Sequence, residues 1–79
     1  MSKAVKLLQK MKANPKADWS QSNIKTLVKA FNLNLRQRDT SHAVITNSSG
    51  QHITVPMHKP IKPVYIKRLV ELIEADNEF

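Results

Sequence analysis

Residues 42–55 read HAVITNSSGQHITV, two alternating runs around Ser-Ser-Gly, and the register between those runs decides the fold. A three-residue loop of Ser48, Ser49 and Gly50 sets Asn47 opposite Gln51 and puts glycine where a left-handed residue is needed. Ile45 then faces Ile53 and Ala43 faces Val55, which makes one strand face wholly apolar. His42, Val44 and Thr46 fall on the other face beside His52 and Thr54. A two-residue loop would instead pair Ile45 with His52 and Ala43 with Thr54, mixing polar groups into the core. A slip of one residue exchanges the two faces, so burial selects the three-residue loop. On this register His42 is predicted to face away from the core.

Upstream, the period stays at two from Leu33. Leu33, Leu35 and Gln37 point one way; Asn34, Arg36 and Arg38 point the other. Before Leu33 the period is helical. Ile24, Leu27, Val28 and Phe31 form one stripe, Ser20 is the expected N-cap, and Trp19 and Ile24 occupy the positions of a hydrophobic staple. An earlier helix over about residues 2–13 groups Ala4 or Val5 with Leu8 and Met11, and Pro15 ends it. Downstream, Pro56 closes the third strand, residues 57–63 (MHKPIKP) form a basic connection, and Pro63 suits the first turn of a last helix. Ile66, Leu69, Val70 and Ile73 are its apolar stripe. Acids at its C-terminal end oppose the helix dipole, so its last turn is expected to fray. The expectation is an α+β chain with a three-stranded antiparallel sheet and helices on one face.

Seventy-nine residues suit a single domain over 1–79. With no cysteine, disulfides, thiolate metal sites and cysteine nucleophiles are excluded. His42, His52 and His58 lack the carboxylate spacing of a zinc site, so no cofactor and no metal is expected. Charge is more informative. Thirteen Lys and Arg stand against six acids, and all thirteen lie within residues 1–68, where the acids are only Asp18 and Asp39. Such an excess attracts phosphate polyanions, nucleic acid first. Anionic lipid is the other polyanion to weigh, since the first helix is basic and modestly amphipathic. That helix has no continuous apolar run, so neither a secretory signal nor a membrane span is read there; a cytoplasmic chain is expected.

Three pieces in order carry a family resemblance: LRQRDTSHAVI (35–45), GQHITVPMHKPIKP (50–63) and VYIKRLVELI (64–73). Together, over residues 23–75, they resemble HicA, the toxin of the HicAB toxin–antitoxin systems. The preceding LLQKMKANPKADWSQSNIKTL resembles the extended N-terminus of one branch of that family. Residues 1–18 would then be an accessory helix and linker, and 19–76 the HicA-like core. The resemblance implies a double-stranded-RNA-binding-like fold and an mRNA-cleaving endoribonuclease that works without a metal. It also implies silencing by a HicB antitoxin, with DNA contacted only through that partner. The family's catalytic histidine corresponds to His42, and its histidine after Val-Pro to His58. Where the family carries glycine before Ser-His, this chain has Thr40, which removes backbone freedom there and is expected to weaken the toxin.

Apart from family, histidine is the side chain best suited to moving protons near neutral pH, and RNA brings its own nucleophile in the 2′-OH. His42 is the expected acid or base. Arg36, Arg38, Lys59 and Lys62 are the expected phosphate-stabilising groups, and Thr40, Ser41 and His58 complete the expected RNA contacts. Ser41 is read as a positioning hydroxyl, because no carboxylate is seen to orient His42 in a triad. A non-catalytic RNA-binding module is the alternative, with Lys59, Lys62, Lys67 and Arg68 meeting phosphates near the last helix. A DNA-binding regulator is weaker, since no helix-turn-helix pattern is visible. An inhibitor covering this basic face should itself be acidic.

Overall fold

The computed structural model describes residues 3–39, 41–57 and 61–76. The elements run α1 (Lys3–Ala13), α2 (Gln21–Ala30), β1 (Asn34–Gln37), β2 (His42–Thr46), β3 (His52–Pro56) and α3 (Pro63–Asp76). The strands form one antiparallel sheet in the order β1-β2-β3. The fold is α+β with the helices on one face, as the periodicity implies.

The hairpin has the three-residue loop. Ala43 pairs with Val55, Ile45 with Ile53 and Thr46 with His52, while the Asn47 N–H donates to the Gln51 carbonyl at 2.9 Å. Gly50 sits at φ 87°, in the left-handed region that its place in the loop demands. Ala43, Ile45 and Val55 are fully buried, and Ile45 and Val55 share one core cluster with Ile24, Leu27, Ile66, Leu69 and Ile73. Each aliphatic side chain of this kind contributes about 1.5–3 kcal/mol by leaving water, which is why the apolar face dictates the register.

The turn from α2 into β1 is sharp for a definable reason. Phe31 is the C-cap, Asn32 follows at φ 54°, and the Leu33 N–H returns to the Val28 carbonyl at 2.9 Å. That is a Schellman-type ending, with asparagine, the non-glycine residue most tolerant of positive φ, at its pivot. Leu33 and Val28 both pack on the core, completing the motif's hydrophobic contact. At the other end of α2, Asn23 Oδ1 accepts both the Ser20 N–H and the Ser20 hydroxyl, each at 3.0 Å. Trp19 lies half-buried on the core. Its indole N–H donates to the Asn14 carbonyl at 2.9 Å, and its own carbonyl accepts the Ile61 N–H at 3.0 Å.

The expected accessory helix α1 shares the same core, with Leu8 and Met11 buried and its packing made to α2 and α3. α3 begins at Pro63, and the Lys62 carbonyl accepts the Tyr65 and Ile66 N–H groups. The expected fraying is not found through Asp76. The Asp76 carboxylate accepts the Ser48 N–H at 2.9 Å, the Ser48 hydroxyl, and the Ser49 hydroxyl at 2.5 Å, so the hairpin loop supplies the donors that the helix end lacks. Beside it the buried Asn47 donates to the Leu72 carbonyl at 3.0 Å and accepts the Ser49 and Gln51 N–H groups.

Candidate functional site

Opposite the helices, the sheet has an open face. Register puts Arg36 beside Val44 and Val44 beside Thr54, so these three share it. His42 lies on the same face, two residues before Val44 on β2. The Arg38 N–H donates to the His42 carbonyl at 2.9 Å, which brings Arg38 alongside His42 at the sheet's end. Arg36, Gln37, Arg38, Val44, His52 and Thr54 line an open depression of about 500 Å³. Both arginines are exposed, so their guanidinium groups are available to an anion, which arginine binds in bidentate fashion.

His42 is held rather than loose. Its side chain is 44% exposed, and Nδ1 lies 3.1 Å from Asp39 Oδ1. The same oxygen accepts the Ser41 N–H at 2.8 Å and the His42 N–H at 2.9 Å. The Ser41 N–H foremost, and next the His42 ring, hold the Asp39 carboxyl below its ordinary value of 3.8. The loop is closed further by the Gln37 side-chain amide, which donates to the Asp39 carbonyl at 2.6 Å. A carboxylate therefore does orient His42, against the sequence-based expectation that none would. The periodic patterns carry no sign of it, because Asp39 lies three residues before the histidine across a tight connection. The available signal was the residue type: aspartate readily accepts the N–H groups two and three residues on in a turn.

The remaining expected site residues divide. Ser41 is half-buried, and its carbonyl accepts the Met57 N–H at 2.5 Å, so its backbone is fixed from both sides. Lys62 is exposed at the start of α3. Thr40, His58 and Lys59 lie outside the described residues. His52 is exposed on β3, but it pairs with Thr46 whereas His42 pairs with Pro56. Four strand positions at about 3.3 Å each separate them by roughly 13 Å, too far for both rings to act on one proton.

Chemically, the face offers a half-exposed imidazole of fixed orientation on β2 and two exposed arginines from the neighbouring β1 side of the sheet. Such a set can bind a phosphodiester and move a proton near it. Among the described residues, no group of three or more His, Asp or Glu is placed to hold a metal ion. Nor, among them, is any helix long and apolar enough to cross a membrane. In comparisons with known proteins, no family model, no curated protein and no solved structure matches the chain.

Proposed function

We propose that this chain is a ribonuclease toxin of the HicA type, an endoribonuclease that cuts mRNA with His42 and is silenced by a HicB antitoxin. The observation that carries the proposal is the placement of His42, half-exposed on the open face and aligned with Arg36 and Arg38. The α2-β1-β2-β3-α3 order is the one the family resemblance implies for a double-stranded-RNA-binding-like core. Net charge of +7 supports a polyanionic substrate and an acidic inhibitor; the cytoplasm, where mRNA is translated, is the compartment this reading implies.

In this reading His42 exchanges a proton with the RNA while Arg36 and Arg38 stabilise the charge that builds on the phosphate. The 2′-oxygen forms a bond to phosphorus as the bond to the 5′-oxygen breaks, leaving a 2′,3′-cyclic phosphate and a free 5′-hydroxyl. No metal is required. A second reading, a non-catalytic RNA-binding module, draws on the exposed Lys62, Lys67 and Arg68 around the start of α3.

One experiment separates the two. Wild type and His42→Ala are induced in cells and also incubated, purified, with mRNA in chelator, while growth and RNA ends are read. The ribonuclease reading expects arrested growth and cyclic-phosphate ends from wild type alone, with RNA affinity retained by the variant. A wild type that binds RNA without cutting it makes the chain a binding module. Cleavage abolished by chelator overturns the metal-free route.

A further inference from the structure

We propose that Asp39 is a positioning residue for His42: it takes the Nδ1 proton of the neutral ring and thereby presents Nε2, with its lone pair, to the substrate as the general base. This rests on the ribonuclease reading and gives the histidine a defined role within it.

A neutral imidazole carries one proton, and the nitrogen without it is the only one that can accept another. Asp39 Oδ1 sits 3.1 Å from Nδ1, and an ionised carboxylate is an acceptor only. The Asp39 carboxyl is held below its ordinary value, foremost by the Ser41 N–H, and is thus ionised wherever RNA is stable. In the neutral ring Nδ1 must therefore be the donor and Nε2 the acceptor. The carboxylate is itself fixed in place, since the oxygen that meets Nδ1 also receives the Ser41 and His42 N–H groups. Three donors converging on one oxygen fix the ring's direction as well as its tautomer.

The step is then complete in its atoms. Nε2 takes the 2′-OH proton, the 2′-oxygen bonds to phosphorus, the bond from phosphorus to the 5′-oxygen breaks, and the leaving oxygen takes its proton from water. Positive charge arriving on the ring faces the Asp39 carboxylate, which stabilises it. His52 stands four strand positions from His42 along β3, so it does not share the proton that Nε2 takes.

Asp39 also closes the loop, so the test must separate its hold on the backbone from its hold on the ring. Asp39→Asn keeps an oxygen for the two N–H groups and for Nδ1 while losing the charge; Asp39→Ala loses both. ¹⁵N NMR of the free protein reads the neutral tautomer of His42 without any RNA. The expected result is Nδ1–H in wild type and Asp39→Asn, and reversion to Nε2–H in Asp39→Ala. On RNA, kcat for Asp39→Ala should fall about tenfold with KM little changed, a part of the 10²–10⁴ that a general base supplies, because the pair is screened by solvent. Asp39→Asn should recover much of that loss. Nε2–H in wild type, or an unaltered kcat in Asp39→Ala, overturns the inference while RNA cleavage stands. A wild type with the Nδ1–H tautomer that cuts no RNA overturns the ribonuclease reading, and the catalytic meaning of the pair falls with it.

Discussion

The two ends of β2 are built alike and do different things. At each, an aspartate is held below its ordinary carboxyl value by donors gathered from a loop. Asp76 takes the hydroxyls of Ser48 and Ser49 and the Ser48 N–H, groups that neither gain nor lose protons in the ordinary range. It joins elements 27 and 28 residues apart, and so fastens the hairpin to the end of α3. Asp39 takes two N–H groups and an imidazole, all within three residues. The same hydrogen-bond chemistry is a latch where every donor is inert and a handle on chemistry where one donor is a histidine.

The largest effects should divide cleanly between these ends. On the proposed ribonuclease reading, His42→Ala should lower RNA cleavage by about 10²–10⁴, the usual worth of an acid–base group. Urea denaturation should move by no more than about 0.5 kcal/mol, as for other partly exposed positions. At the opposite end, Asn47→Ala should reverse that pattern. Its buried amide bonds the Leu72 carbonyl and two loop N–H groups, and removing it strands them. Urea denaturation should show a loss of about 1–3 kcal/mol, with cleavage below the melting transition unchanged. A cleavage defect in Asn47→Ala would break the division, since it would show that the latch also shapes the end that carries His42.

Gly50→Ala is a smaller probe of the same end. A Cβ at Gly50 would meet nothing within 4 Å, so any cost is conformational. With φ at 87°, that cost should be about 1 kcal/mol in urea denaturation. A loss matching Asn47→Ala would mean that the loop's hydrogen bonds also give way.

How much of this was legible in the sequence follows from the range of each interaction. The hairpin register was readable because Ala43, Ile45, Ile53 and Val55 sort onto one face only with a three-residue loop, and a period of two is a local pattern. The stripe of α3 was readable for the same reason, although Leu72 joins it in the core. The fate of the last turn of α3 was not, because the donors that hold Asp76 come from the hairpin. The exit from α2 was half-legible. Leu33 belongs to the alternation of β1, but its N–H closes the helix end around Asn32, a geometry that alternation does not encode. At the candidate site, the face of His42 came from register alone, whereas its partner Asp39 came from a turn whose geometry no periodicity describes.

Acid probes both ends of β2 with the least perturbation. The two carboxyl groups have folded values below 3.8, their ordinary value in an unfolded chain. A carboxyl lowered on folding stabilises the fold fully above the unfolded value, and that contribution disappears as pH falls through the folded one. The effect should therefore be absent near neutrality, begin below about pH 4 and grow toward the lowered values. Proton–nitrogen NMR can follow each end separately, because the Ser41 and His42 amides bond to Asp39 while the Ser48 amide bonds to Asp76. The first two amide shifts should titrate together, and the Ser48 shift on its own curve. Asp76→Asn should abolish only the Ser48 curve, and Asp39→Asn only the other pair. If one substitution displaced both curves, the ends of β2 would be a single linked unit, and protonating the latch would reach the histidine through the strand.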